Sequence, residues 1–406
     1  MNTQDTQGRA YTVLIASIIF NLTIQVLYVW TLLKNDMKDV WGWTSQQSGL
    51  PYTLAIIFFA LGVLIGGRIQ DKIGPRPVAS VGGAMVGLGL VISGLAGNNP
   101  TGVTIGYGVV TGLGIGFGYG SVLPASLKWF HSGKKGLIGG LVLGGFGLAS
   151  VHYAFITSAL LDRISIESTM LYMGIAVAVV AVISAQFVRN PGPDYVPAVS
   201  ENVKLSVITA KPVINFNRKE MLKTKRFYIM FILFLFSASM GLMVLGNVVR
   251  IANVQAGVTN AVLLISIVAV MNGSGRVIGG MLSDKIGRVN TLFIAIILQL
   301  FNMIGFLFYN NVFLVTLGFI LVGLCFGTFL AVFPALTADQ YGLKNYGVNY
   351  GIVYLAYGCA GIVAPVIADY FYDLSGSFNT AYILCAVIMA FMIGLNFMLK
   401  KELKNS

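Results

Sequence analysis

Gly67-Arg68-Ile69-Gln70-Asp71-Lys72-Ile73-Gly74-Pro75-Arg76 is answered 213 residues later by Gly280-Met281-Leu282-Ser283-Asp284-Lys285-Ile286-Gly287-Arg288. The two stretches carry Gly, Asp, Lys, Ile and Gly at the same spacing, and each joins two long apolar runs. Two further echoes keep nearly the same offset: Leu123-Pro124-Ala125 with Phe333-Pro334-Ala335, and Gly136 to Gly140 with Gly347 to Gly351. Such an internal repeat in a chain of 406 residues predicts two equivalent halves.

The sequence around the repeat sets its solvent. Hydrophobic residues make up 56% of the chain and charged residues 10%, and the mean hydropathy is +0.83. A span takes about 20 apolar residues. Runs of that kind lie near 11–33, 50–67, 77–97, 101–127, 137–161 and 170–188, then near 227–249, 259–282, 290–309, 312–336, 347–368 and 378–399. They are continuously apolar instead of alternating with period two, which predicts helices and not barrel strands. The expected fold is an all-α membrane protein: twelve transmembrane helices in two six-helix pseudo-symmetric halves, 1–188 and 227–406. The connector, 189–226, should carry a short surface helix near 218–225 able to touch anionic lipid. A water-soluble globule, a disulfide scaffold and a disordered tail are excluded.

A formal charge of +12 invites a nucleic-acid partner, but the basic residues lie between apolar runs and form no stripe. With both termini on one side, that side collects 21 of the 26 Lys and Arg. Basic loops are retained in the cytoplasm, so the pattern predicts a multi-pass protein of the inner membrane with cytoplasmic termini. The charge is a topology signal, and no nucleic acid is expected. The polar start runs into a stretch, Tyr11 to Leu33, long enough to remain as a span and not a cleaved signal. Cys325, Cys359 and Cys385 have no CxxC partner, so no metal site and no cofactor are expected. With no HExxH, nucleophile elbow or P-loop, neither an enzyme nor an ATP-driven pump is expected. Gly112 to Gly120, glycine at every second position, reads as close helix packing, as does Gly140 with Gly144.

Arg276 stands inside the eighth run, eight residues before Asp284 and so about 12 Å deep. An arginine at a helix centre costs about 3 kcal/mol to insert, so it should face the bundle interior or a cavity and have a partner. Its repeat counterpart is Val63, so the fold itself does not require it. Asn272 lies one turn earlier on the same face. No acid falls inside a span to neutralise Arg276, which points to a bound anion, and guanidinium geometry suits a carboxylate. His152, about 24 Å deep in the fifth run, has the pKa class of a proton relay, though a packing role reads equally well from one histidine. Tyr119 and Tyr357 fall at depths that fit one shared cavity. Phe329 takes the repeat position of Tyr119, with Phe333 one turn on; helix packing is the alternative reading for all four aromatics.

The doubled Gly-x-x-x-Asp-Lys-x-Gly-Arg pattern in a twelve-span chain resembles the signature of the major facilitator superfamily. In that reading Gly67, Asp71, Lys72, Gly74, Gly280, Asp284, Lys285, Gly287 and Arg288 form a cytoplasmic gate: its glycines allow close approach in a tight turn and its charges form pairs that break as the halves rock. The first copy departs in having Pro75 where a basic residue is common. Leu27-Tyr28-Val29-Trp30, Lys128-Trp129-Phe130, Asn272-Gly273-Ser274-Gly275-Arg276 and Asn345-Tyr346-Gly347 further resemble the oxalate:formate antiporter and monocarboxylate transporter group. The resemblance implies that Arg276 binds a substrate carboxylate. Oxalate exchangers of that group place a lysine where Tyr357 stands, so one cation here implies one carboxylate. Animal monocarboxylate transporters place an aspartate where Asn272 stands.

The function expected is secondary transport of a small monocarboxylate such as lactate, pyruvate or formate by a monomer in contact with membrane lipid. Arg276 would hold the carboxylate, with Asn272, Tyr119 and Tyr357 adding hydrogen bonds. Phe329, Phe333, Leu27 and Tyr28 would wall the carbon chain, and His152 would carry a coupled proton. An oxalate:formate-type exchanger and, more remotely, a transporter-shaped sensor remain open.

Overall fold

The computed structural model describes residues 3–192, 195–197, 215–258 and 262–404. These residues form helices and no strands. The first half comprises α1 (Thr3–Ile24), α2 (Trp30–Trp41), α3 (Ser45–Ile73), α4 (Pro75–Ala96), α5 (Pro100–Val103), α6 (Gly112–Trp129), α7 (Lys135–Leu161) and α8 (Ile166–Ala185). After α9 (Arg218–Leu222) the second half follows: α10 (Lys225–Leu245), α11 (Val248–Ala256), α12 (Val262–Ile286), α13 (Arg288–Phe306), α14 (Val312–Tyr341), α15 (Tyr346–Ser375) and α16 (Asn379–Lys404). Among the described residues eleven helical segments are long and apolar enough to cross a membrane, and a shorter apolar helix, Gly8–Ile24, precedes them.

The shortfall lies in the first expected span, 11–33, which breaks after Ile24 and resumes as a 3-10 turn, Leu27–Val29, and then α2. No proline or glycine causes the break. Side chains satisfy the groups the break exposes: the Tyr107 hydroxyl donates at 2.9 Å to the carbonyl of Val26 and lies 3.2 Å from that of Leu27, and the Gln25 amide oxygen accepts the Leu27 N–H. Tyr107 sits in a π-helical stretch, Thr104–Thr111, that joins α5 to α6, and its ring packs 4.4 Å from Trp30. The first span of the second half divides similarly, between α10 and α11 at Gly246 and Asn247.

The repeated motif is more helical than expected. Gly67 to Ile73 and Gly280 to Ile286 are the last turns of α3 and α12, and each turn narrows to one glycine, Gly74 at φ +87° and Gly287 at φ +89°. Only glycine holds that conformation cheaply. Gly67 and Gly280 serve instead in contacts between halves: α3 packs on α15 with Gly67 against Gly347, and α7 packs on α12 with Gly136 against Gly280, all so close that a Cβ would have no room. Gly140 likewise lies on the backbone of Arg276, and Gly144 on Val277. Within the first half, the alternate glycines of α6 seat against α3 and α4, Gly116 on Gly62 and Gly114 on Gly82 and Val86.

The connector is pinned at both ends. Trp129 donates its indole N–H to the carbonyl of Arg189 and receives the Tyr195 hydroxyl on its own carbonyl. At the other end the Arg226 guanidinium lies between the rings of Phe216 and Tyr341, 4.9 and 5.1 Å from their centroids. The short surface helix is Arg218–Leu222; residues 198–214 of the expected connector lie outside the described residues.

Candidate functional site

Two layers of contact join the halves. The first is at the face carrying both chain ends, the motif turns and most basic residues, called here the basic face. Asp71, at the end of α3, accepts the backbone N–H groups of Gly347 (3.0 Å) and Val348 (2.9 Å) at the start of α15. Asp284, its repeat partner, accepts those of Gly136 (2.8 Å) and Leu137 (2.7 Å) at the start of α7. Each carboxylate thus caps the positive end of a helix in the other half. The ionic partners are unequal. Arg288 reaches Asp284 at 2.5 Å and Asp339 at 2.9 Å, and Asp339 takes Lys135 of the first half at 3.0 Å. In the first copy Pro75 occupies the place of Arg288, and Asp71 is met by the Gln70 amide. Lys72 and Lys285 are exposed and join neither carboxylate. Asp339 lies in the last turn of α14.

The second layer is deeper. Arg276, on α12, is 2% exposed. Its Nη1 donates to the carbonyl of Leu143 on α7 at 2.8 Å, and its Nε donates to the Asn272 amide oxygen at 3.2 Å. Its guanidinium carbon stands 5.6 Å from the centre of the Phe146 ring. No described carboxylate pairs with it, and its second terminal nitrogen makes no hydrogen bond among the described residues. Asn272 therefore steers the guanidinium with its oxygen and leaves its N–H2 to donate elsewhere. The close seat of Gly327 on the Asn272 backbone and of Gly147 beside the Arg276 Nε fixes this part of α12 between α14 and α7.

An aromatic cluster covers the guanidinium. Phe59 is its hub, with ring centres 5.4 Å from Tyr119, 5.6 Å from Phe146, 5.3 Å from Tyr354 and 6.0 Å from Tyr357. Tyr119 also lies 5.1 Å from Phe146 and 5.2 Å from Tyr354. Phe59, Tyr119 and Phe146 belong to the first half; Tyr354 and Tyr357 belong to the second. Tyr346, Tyr350, Tyr354 and Tyr357 form a ladder down one face of α15, ring to ring at 5.5, 5.5 and 5.0 Å. The hydroxyls of Tyr119 and Tyr350 are buried and face one another, with Tyr354 beside Tyr119, without closing a well-formed hydrogen bond, and both lie within the electrostatic reach of Arg276. A buried hydroxyl poorly paired costs up to about 1–3 kcal/mol, so these groups beside the guanidinium have donor capacity for an acceptor.

The other expected residues are distributed differently. Phe333 stacks on Phe234 at 4.5 Å, and Phe234 lies 5.9 Å from Tyr354, so Phe333 extends the cluster from behind. Phe329 and Leu27 are buried, but outside the ring contacts around Arg276; Leu27 belongs to the break in the first span, where Tyr107 binds it. The backbone of Tyr28 is in the same turn, and its side chain lies outside the described residues. His152 is half-buried, its ring 4.3 Å from that of Tyr153, and no hydrogen bond joins it to Arg276. Sequence reading missed Phe59, Phe146, Tyr350 and Tyr354. The tyrosine ladder, at spacings of four, four and three, was there to be read as one face of a helix.

Comparison with known proteins agrees with this architecture. The chain is 27% identical over 367 residues to the uncharacterised MFS-type transporter YhjX of Escherichia coli, covering 89% of this chain and 88% of that one. It is 28% identical over 392 residues to the oxalate:formate antiporter of Oxalobacter formigenes, covering 94% and 88%. The solved proton:xylose symporter XylE shares the fold at a TM-score of 0.74 and 12% identity, over 97% of this chain and 96% of that one. The family model of the Major Facilitator Superfamily matches residues 13–312 and 263–405. The chain belongs to the Major Facilitator Superfamily and is a multi-pass membrane transporter, not an enzyme.

Proposed function

We propose that this transporter moves a small monocarboxylate across the cytoplasmic membrane by alternating access, with its basic face in the cytoplasm, the orientation that retained basic loops favour. The observation that carries the reading is Arg276: a guanidinium buried between the halves, steered by Asn272 and Leu143, with no carboxylate partner among the described residues. One substrate carboxylate would take the second terminal nitrogen of Arg276 and the hydroxyls of Tyr119 and Tyr350, giving poorly paired donors charge-assisted hydrogen bonds. Asn272 would add its N–H2. Phe59, Phe146, Tyr354 and Tyr357 would close on the short carbon chain, with Phe333 supporting them; Leu27 and Phe329 lie outside these ring contacts. Residues 1–188 and 227–406 would rock as bodies about this point, with 189–226 as their tether.

Opening toward the cytoplasm then requires the Asp71 and Asp284 caps and the Arg288–Asp339–Lys135 chain to part. His152 would carry a coupled proton, an assignment separable from the binding site. A panel of labelled lactate, pyruvate, formate and oxalate in proteoliposomes, with and without an imposed pH gradient, tests both. Lactate uptake driven by an inward proton gradient, with the gradient effect lost in His152→Ala, supports symport. Unchanged coupling in that variant removes the histidine from the mechanism. The 28% identity to the oxalate:formate antiporter favours a second reading, exchange of one carboxylate for another; counterflow that needs an internal anion and prefers oxalate would establish it instead.

A further inference from the structure

A groove of about 510 Å³ opens at the basic-face end of the seam between α3 and α15, away from the central site. Leu64, Ile65 and Ile69 of α3 and Val348 and Ile352 of α15 line it. Its rim carries three cations, Arg68 and Lys72 on α3 and Arg218 at the start of α9. All three are exposed, and none has a hydrogen bond or ion pair among the described residues. That contrasts with the basic residues nearby: Arg76 binds Gln186, Lys135 and Arg288 bind Asp339, and Arg226 binds Gln340. Ile65 is 44% exposed and Ile73 59%, on the outward face of a membrane-crossing helix.

We infer that this groove is a binding site for one anionic phospholipid. Its phosphate lies among Arg68, Lys72 and Arg218, and an acyl chain follows Ile69, Ile65 and Leu64 toward the membrane interior. The chemistry fits part by part. Lys72 and Arg68 stand on the last two turns of α3, and inward of Arg68 the lining is apolar, Ile65 and Leu64 on α3 and Ile352 on α15, as a phospholipid changes from headgroup to chain. Basic pockets between membrane helices on the cytoplasmic side suit such headgroups. A free phosphate would use the rim and leave the isoleucine wall without purpose, so the occupant is the lipid.

The site has a conformational consequence. Its walls belong to different halves, and Val348 is the residue whose N–H caps Asp71. The groove exists in this form only while α3 and α15 are closed at Gly67 and Gly347, so a lipid that binds it favours the closed basic face. Lipid composition would then set the balance between the two access states without touching the substrate.

The test uses the full transporter in nanodiscs and native mass spectrometry after release, with phosphatidylglycerol as the probe. Wild-type protein is expected to retain one more phosphatidylglycerol than Arg68→Gln/Arg218→Gln. A control variant on the same face, Lys400→Gln/Lys401→Gln, is expected to retain as many as wild type. Phosphatidylcholine and inorganic phosphate are expected to show no difference between the three proteins. Spin labels across the basic face should report a larger closed fraction in phosphatidylglycerol than in phosphatidylcholine, and the difference should vanish in the groove variant. Equal retention by wild type and the groove variant, or phosphate binding that matches the lipid, overturns the proposal. A folded groove variant is verified by its unchanged monodispersity and melting temperature in phosphatidylcholine.

Discussion

At the scale of single residues, Arg276 and the hydroxyls around it make opposite demands on stability and transport. A buried hydroxyl that is poorly paired destabilises the empty protein. Tyr119→Phe and Tyr350→Phe are therefore expected to leave the melting temperature unchanged or to raise it. If those hydroxyls bind substrate, the same variants lose a hydrogen bond to a charged group, worth about 1.5–3 kcal/mol, and the KM for uptake should rise by about tenfold or more. A fall in stability with unchanged KM would show them to be packing groups. Arg276→Lys keeps the charge but loses the fork that engages Leu143 and Asn272 and that the proposed site turns to the substrate. Transport should drop at least about tenfold, with the wild-type elution position preserved in size-exclusion chromatography.

At the scale of elements, the two motif copies use the same device with different reinforcement. Both Asp71 and Asp284 cap a helix of the opposite half, but only Asp284 also holds Arg288, which reaches Asp339 and through it Lys135. Asp284→Asn should therefore open the basic face more than Asp71→Asn. Spin labels at Lys134→Cys and Lys344→Cys, in a background without the native cysteines, give the readout: a longer distance component, larger for Asp284→Asn. Equal effects would mean that the ionic chain adds nothing to the caps. Gly280→Val works by sterics, since its neighbour is the Gly136 backbone. It should shift the same distance distribution outward whether or not substrate is present.

At the scale of the whole molecule, much of the architecture was readable because the bilayer imposes strong rules on sequence. Continuous apolar runs gave the helices, and the repeat gave the halves. Arg276 stood out because a charge in an apolar run carries a cost that needs a reason. The break after Ile24 escaped reading because Tyr107, which hydrogen-bonds the carbonyls it exposes, lies about 80 residues away and no local Gly or Pro announces it. A gating role for Gly67 and Asp71 was implied by the resemblance, but their partners, the backbone of Gly347 and Val348 on α15, were not legible, since tertiary contact sets them. Phe59, Phe146 and Tyr354 were hidden for another reason: aromatic residues in membrane helices are common, and only their convergence on one point distinguishes them. Orientation belongs to this scale as well. A C-terminal alkaline phosphatase fusion expressed in a bacterium should be inactive and a C-terminal green fluorescent protein fusion bright; the reverse would invert the proposed access cycle.

The central claim is that a buried guanidinium with no counter-ion among the described residues is neutralised by the substrate's carboxylate. Counterflow of labelled lactate in proteoliposomes, comparing wild type with Arg276→Ala and competing with lactamide, tests it most directly. Lactamide has lactate's size and hydroxyl but no charge. The account requires robust exchange in wild type that lactamide does not inhibit, and loss of exchange in a folded Arg276→Ala protein. Exchange at the wild-type rate without the arginine, or competition by lactamide equal to that by lactate, would contradict it.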